Sequence, residues 1–252
     1  MIALWDYNMH CSRSVAVLLV TATVATAFHT ASAEEAGYRE ARASLGAMVT
    51  KGNTDTERYN ATIDFRNRTE RNRYTAGLEL NRGKTEGEED VHNSRVFARY
   101  DRFLRGPWYW DVHTSALQDK ERDLRYRAIV GTGAGYQFFD HQALQLSVEL
   151  GPSYVRQRRY DEDQESETTT RWALDYRQTL NDGLVQLFHN HEVVVPTDES
   201  DGWFASARSG IRVPLRRNLS ASLQLNYDYD NDPPPETKRY DSVTLLNLAY
   251  EW

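Results

Sequence analysis

YDSVTLLNLAYEW, residues 240–252, gives the clearest indication of the fold of this chain. Side chains of similar polarity recur at every second residue, which is the period of a β-strand. The stretch closes on Trp252, a large amphipathic ring of the kind found at the boundary between membrane and water. This pattern is typical of the closing strand of a bacterial outer-membrane β-barrel, which the barrel insertion machinery recognises. One face carries Leu246, Leu248, Tyr250 and Trp252, and the other carries Val243, Leu245, Asn247, Ala249 and Glu251.

The composition fits a barrel better than a bundle of membrane helices. The mean hydropathy of the chain is -0.72, and after residue 33 no run approaches the roughly 20 apolar residues of a spanning helix. A barrel needs no such run, because only alternate residues face lipid. The chain has 15 Tyr and 6 Trp against 8 Phe, as aromatic belts at the two membrane boundaries require. A secreted β-sandwich, also rich in tyrosine, is the soluble alternative.

The N-terminal segment has the features of a secretion signal. A short basic start is followed by an apolar run, and Ala31-Ser32-Ala33 supplies a small-residue cleavage site. We expect residues 1–33 to be the signal peptide, with the true start at Met9, and residues 34–252 to form the barrel. The only cysteine, Cys11, lies in the signal, so the mature chain is expected to have no disulfide. The net charge of -7 argues against a nucleic-acid partner, which requires a basic surface.

Twelve strand-like segments follow the signal, and their connections alternate between short and long. The strongest short turn is Asn181-Asp182-Gly183, a typical hairpin sequence. The next segment, residues 184–195, does not alternate cleanly and predicts a bulge. An even number of strands places both chain ends on the side of the short turns, as in outer-membrane barrels, so Trp252 is expected at the periplasmic rim. The long connections are predicted at residues 52–56, 83–90, 118–123, 156–169, 196–202 and 230–239.

Charged side chains of both signs recur on the strand faces opposite the apolar residues. An arginine on the lipid face near the membrane centre would cost about 2–4 kcal/mol, so these side chains are predicted to point into the lumen. Two interpretations stay open, because small barrels are filled by side chains whereas large ones leave an aqueous pore. The charges either pair and close the lumen, or they line a narrow channel. The candidate lumen-lining residues are Asp64, Arg66, Glu79, Arg95, Arg99, Asp111, His113, Arg127, Glu149, Asp175, Arg177, Arg208, Arg212, Asp228 and Glu251.

Two histidine motifs raise the question of catalysis or metal binding. His113 and Ser115 lie two apart on one strand, which puts a possible base and nucleophile on one face. Outer-membrane phospholipases and lipid A deacylases resemble this spacing, but their sites face lipid, whereas the alternation here predicts that both residues face the lumen. No acid that would orient the imidazole is evident. His189 and His191 would need further ligands to bind a metal ion, so no catalytic, cofactor or metal site is expected.

Four sequence motifs of the chain resemble those of one family of proteobacterial proteins. The motifs are GNTDT at residues 52–56, RYDRFL at 99–104, GTGAGY at 131–136 and LSVELGPSY at 146–154. The family is described as a domain of unknown function and as salt-induced outer-membrane proteins. The resemblance implies an outer-membrane barrel associated with envelope or salt stress. It brings no catalytic residues that could be transferred to this chain.

These observations predict a twelve-stranded antiparallel transmembrane β-barrel of the bacterial outer membrane that is not an enzyme. The expected function is that of an envelope barrel with a charged lumen that is narrow or closed. The alternatives are a channel for small solutes or ions and a membrane-embedded lipid hydrolase using His113 and Ser115. The expected partners are outer-membrane lipid and lipopolysaccharide. The acidic segments 86–90 and 161–167 are either a solvated rim or a place where divalent cations bind beside the lipopolysaccharide phosphates. The protein is expected to be a monomer without a cofactor.

Overall fold

The computed structural model describes residues 37–50, 56–160, 162–198, 202–233 and 238–252. The signal peptide predicted over residues 1–33 lies outside the described residues, as does most of the connection at 52–56. No helix in the described part of the chain is long and apolar enough to cross a membrane. The described strands are β1 Tyr38–Thr50, β2 Thr56–Arg68, β3 Asn72–Thr85, β4 Glu88–Phe103, β5 Trp108–Asp119, β6 Leu124–His141, β7 Leu144–Arg159, β8 Gln164–Leu180, β9 Val185–Pro196, β10 Phe204–Arg216, β11 Leu219–Asp230 and β12 Tyr240–Glu251.

The twelve strands form one closed barrel. Each strand pairs antiparallel with the next, and β12 pairs with β1 through contacts such as Leu45 opposite Leu248. Ala41 and Trp252 exchange two backbone hydrogen bonds of 3.0 and 3.2 Å, so the pairing continues to the last residue. Closure removes the unpaired sheet edges that hydrocarbon would not tolerate. The predicted all-β, twelve-stranded antiparallel barrel is confirmed.

The alternation along each strand separates an apolar outer wall from a polar inner wall. On β12, Leu246 and Leu248 are 67% and 57% exposed, whereas Asn247 and Ala249 between them are 3% and 2% exposed. Large apolar side chains are exposed on the outer wall in the same way on the other strands, and an apolar surface of this extent is stable only in lipid. The protein is therefore a transmembrane β-barrel.

Two of the predicted long connections are largely strand. β3 and β4 continue into residues 83–90 and turn at Glu86-Gly87, both of which have positive φ angles. β7 and β8 likewise continue into residues 156–169, where Gln157 pairs with Glu165. Both faces of these extensions are polar, because a strand that continues beyond the apolar wall has water on both sides. The period-two pattern that identifies a strand is therefore absent there.

The bulge predicted in residues 184–195 is wrong. β9 pairs with β8 and with β10 without a register shift. The irregularity arises from Leu184, which still belongs to the turn and has helical backbone angles of -71° and -28°. From Val185 onward the alternation is regular, but an aromatic side chain, Phe188, points inward and obscures the period. One described irregularity is on β10 instead, between Pro214 and Arg216.

Candidate functional site

The predicted lumen residues all lie on the inner side of their strands, and the structure arranges them in groups. Most of them are half-buried or buried, and Asp111 and Glu149 are almost completely enclosed. We name the group around Glu149 the central network. It consists of Arg73, Arg95, Arg99, Asp101, Tyr109, Glu149, Arg171 and Glu192.

Glu149 on β7 is the centre of this network. Its carboxylate accepts hydrogen bonds from Arg99 at 2.7 Å, from Arg171 at 3.0 Å and from the Tyr109 hydroxyl at 2.9 Å. Arg171 also donates to Glu192 at 3.0 Å, and Glu192 accepts a bond of 2.9 Å from Arg95. Arg95 and Arg99 are on β4, whereas Arg171 and Glu192 are on β8 and β9. These ion pairs therefore cross the lumen between opposite parts of the wall.

The network continues toward the end of the barrel that carries the chain termini. Arg99 lies 3.3 Å from Asp101, and Asp101 accepts a hydrogen bond from Arg73. Arg73 also donates to the side-chain oxygen of Gln137 at 2.7 Å. Asp101 is fully buried, and a buried carboxylate without partners would be very costly. Positive and negative groups therefore alternate along the whole network.

Five members of the central network were not predicted from the sequence: Arg73, Asp101, Tyr109, Arg171 and Glu192. Arg73 lies two residues before Thr75, and Asp101 two residues after Arg99, so continuing the period by one step would have placed both on the inner face. On β8, two further steps of the same period lead from Asp175 through Ala173 to Arg171. These residues could have been predicted if the two-residue period had been continued farther along each strand.

A row of glycines on β6 provides the space for the large inward side chains of β5. Tyr109 lies opposite Gly135 and His113 lies opposite Gly131. A Cβ atom at Gly135 would collide with the Tyr109 ring, and one at Gly131 would collide with the His113 ring. The GTGAG phrase of residues 131–135 therefore lets Tyr109 reach Glu149 across β6.

The structure supplies the acid that the sequence analysis did not find beside His113. Asp111, two residues earlier on the same face, lies 2.7 Å from the Nδ1 atom of His113. The Nε2 atom of His113 has no hydrogen-bond partner among the described residues, and no hydrogen bond joins it to Ser115 in that part of the chain. The pair lies in the lumen and lacks the contact with a nucleophile that catalysis would require.

Two cavities meet at the central network. One has a volume of about 260 Å³ and extends toward the end with the termini; the other, of about 100 Å³, extends toward the opposite end. Arg95 and Glu192 line both cavities. The larger cavity has more arginines than carboxylates. Its charged lining is Arg42, Arg66, Arg95, Arg99, Arg171, Arg177, Arg208 and Arg212 with Glu40, Asp64, Glu79, Asp175 and Glu192.

The end of the lumen away from the termini is occupied by a second group of ion pairs and by apolar side chains. Asp230 lies 3.3 Å from Arg127 and 3.6 Å from Arg122. The Arg127 guanidinium lies 3.9 Å above the ring of Phe204, which attracts it through a cation–π interaction. Ile129, Val155, Val194 and Phe204 form a buried apolar cluster on this inner wall.

A family model described as "Protein of unknown function, DUF481" matches residues 43–252. The chain belongs to this family. A search of the curated proteins finds no match to this DUF481 protein. The family description assigns no activity to the central network.

Several solved barrels are similar to the DUF481 chain at low sequence identity. The translocator domain of the autotransporter NalP from Neisseria meningitidis is 14% identical, with 94% of each chain covered and a TM-score of 0.45. The NanC porin is 10% identical over 85% of this chain and 98% of that chain, with a TM-score of 0.46. An anion-selective porin from Comamonas acidovorans is 8% identical over 87% and 100%, with a TM-score of 0.41. No activity follows from these similarities.

Proposed function

We propose that this protein is an envelope barrel whose lumen is closed at rest by the central network. The proposal depends on one observation: the ion pairs from Arg99 through Glu149 and Arg171 to Glu192 and Arg95 run from β4 to β9 across the lumen. A conducting pore would need to pass these side chains, which are largely buried. Such a barrel spans the outer membrane without making it leaky.

An association with salt or envelope stress is part of the same proposal. Salt screens exposed charges strongly, but buried pairs much less. Glu149 is 2% exposed, so its pairs with Arg99 and Arg171 would persist at high external salt. A lumen closed by these pairs would stay closed when the surroundings of the cell become saline. Deletion of the gene is therefore expected to impair growth in high salt more than in low salt.

Conductance across a planar bilayer tests the closed lumen directly. The purified, folded barrel is expected to produce no channel steps over a wide range of voltages and salt concentrations. Folding is verified by the change in gel mobility on heating that membrane barrels show. Steady conductance by the folded wild-type protein would contradict the proposal.

A narrow ion channel is the second candidate, and the two cavities favour it. Both reach Arg95 and Glu192, so members of the central network lie where the two cavities meet. In this alternative, movement of the network opens a path between the cavities. The double substitution Arg171→Ser and Glu192→Ser removes one charge of each sign and would produce channel steps. The matched control is Glu40→Ser with Arg177→Ser, a pair 3.1 Å apart that lies outside the central network and is expected to stay silent.

A further inference from the structure

Three polar side chains lie together on the outer wall, where apolar residues are the rule. Ser209 on β10 lies directly opposite His189 on β9, and His191 is two residues further along β9 on the same face. Glu192 and Val194 point into the barrel, so the alternation turns both histidines outward. Ile211, on the same face as Ser209, is 46% exposed on the apolar wall.

These side chains form a continuous series of hydrogen bonds, which we name the outer chain. The Ser209 Oγ atom lies 2.6 Å from Nδ1 of His189, and Nε2 of His189 lies 2.9 Å from Nδ1 of His191. Trp172 on β8 closes the series, since its Nε1 atom donates to Nε2 of His191 at 3.2 Å. A hydroxyl bonded to an imidazole that a third group orients is the arrangement of an activated nucleophile.

The surroundings of the outer chain are those of a site that opens on lipid. Leu225 lies opposite Ser209 on one side, and Leu174 and Ala207 lie opposite His191. Polar side chains facing hydrocarbon are costly and mark a functional site by default. The substrate that reaches Ser209 from this side would be a membrane lipid.

Trp172 determines the direction of the protons in the resting structure. An indole N–H can only donate, so Nε2 of His191 accepts and its Nδ1 carries the proton. That proton is donated to His189, whose own proton then lies on Nδ1 and is donated to Ser209. In this arrangement Ser209 is an acceptor and is not activated. If Trp172 releases His191, the series can reverse, and the Ser209 hydroxyl then donates to Nδ1 of His189.

We propose that Ser209 and His189 form a lipid-facing acyl-ester hydrolase site, which His191 orients and Trp172 holds in its resting state. Ser209 Oγ forms a bond to the ester carbonyl carbon, and its proton passes to Nδ1 of His189. The bond from that carbon to the alcohol oxygen breaks, and this oxygen takes the proton from His189. Water then attacks the acyl carbon and gives its proton to His189. The bond from that carbon to Ser209 Oγ breaks, Oγ takes the proton back from His189, and a fatty acid is released. The site is on the outer wall and does not depend on whether the lumen conducts.

A fluorophosphonate with a long alkyl chain tests this site on the folded barrel in lipid vesicles. The reagent is expected to label Ser209 slowly in the wild type, as read by mass spectrometry of the peptide. Trp172→Phe removes one neutral hydrogen bond of the resting state and is expected to accelerate labelling about two- to tenfold. His189→Gln is expected to abolish labelling, and phospholipid vesicles should release fatty acid in the same order as the labelling rates.

Ser242 provides the matched control within the same molecule. It is also on the outer wall but lies opposite Tyr227 rather than a histidine, so it is expected to stay unlabelled. Gel mobility shows that each variant is folded. Absence of label at Ser209 in both the wild type and Trp172→Phe would overturn the proposal. Equal labelling of Ser209 in the wild type and His189→Gln would overturn it too, because His189 would then not be the base.

Discussion

Glu149 on the inner wall and His189 on the outer wall both belong to extended polar networks, but different groups build the two. Around Glu149 full charges alternate, and each carboxylate has more than one cationic or hydroxyl partner. Around His189 the groups are a hydroxyl, two imidazoles and an indole. The inner wall encloses polar cavities and many arginines, whereas hydrocarbon offers no partner for a charge. The medium beside each wall therefore decides whether its network is ionic or neutral.

The largest expected effect is on the ionic side of this comparison. Glu149→Ala leaves Arg99 and Arg171 without their shared carboxylate and should reduce the free energy of unfolding by about 3–5 kcal/mol. Urea unfolding in lipid vesicles, followed by tryptophan fluorescence, measures the change. Glu251→Ala is the control, because Glu251 is partly exposed at the rim beside Arg42 and should lose less than about 1 kcal/mol. Similar losses at both positions would show that burial does not set the strength of these pairs.

A new charge on each wall tests the difference between the two media. Leu223→Arg places a guanidinium on the outer wall and should cost about 2–4 kcal/mol if the position is near the membrane centre. Gln224→Arg, the next residue, places the same group in the larger cavity and should cost much less. The same urea titration gives both values. Equal costs would mean that the inner wall is no more tolerant of charge than lipid is.

Loss of one hydroxyl from the central network gives a smaller effect. Tyr109→Phe removes the 2.9 Å hydrogen bond to the Glu149 carboxylate and should cost about 1.5–3 kcal/mol, as expected for a bond to a charged group. The control is Tyr126→Phe, because the Tyr126 hydroxyl bonds Gln164 at an exposed position and should change stability by less than about 0.5 kcal/mol. A neutral result for Tyr109→Phe would remove Tyr109 from the network that closes the lumen.

The smallest effect is expected on the neutral side. Trp172→Phe keeps an aromatic ring on the outer wall but removes the N–H donor to His191, so the loss of stability should be about 0.5–1.5 kcal/mol. Trp110→Phe is the control, since the indole of this outer-wall residue has no hydrogen-bond partner among the described residues. A loss as large as that of Glu149→Ala would show that the outer chain, like the central network, is essential to the fold.

The strands and their two faces could be predicted from the sequence wherever the inner and outer walls differ in polarity. On β12, apolar and polar residues alternate, and both faces were predicted correctly. The prediction failed where both faces are polar, as at Gln157 and Glu165, and where an aromatic side chain points inward, as at Phe188. The misassigned period of β9 also hid the outward direction of His189 and His191. A local pattern reports the surroundings of a strand only when those surroundings differ between its faces.

The pairing of distant residues needed the closed barrel. Glu149 meets Arg99 across 50 positions of sequence, and Arg66 lies 3.4 Å from Asp175 across 109 positions. The local two-residue period of the sequence predicts neither contact. Ser209 faces His189 only because β9 and β10 pair in one particular register, and a shift by one residue would turn the serine to the other wall.

The residue pattern alone predicts that this chain forms strands, how many there are, and which side chains turn away from lipid. These properties follow from the two-residue period of extended backbone, which each short segment shows independently. The closed barrel was needed to show which charges meet across the lumen and that a serine, two histidines and a tryptophan are hydrogen-bonded on the outer wall. Those contacts depend on the stagger between strands, which the closure of all twelve sets together.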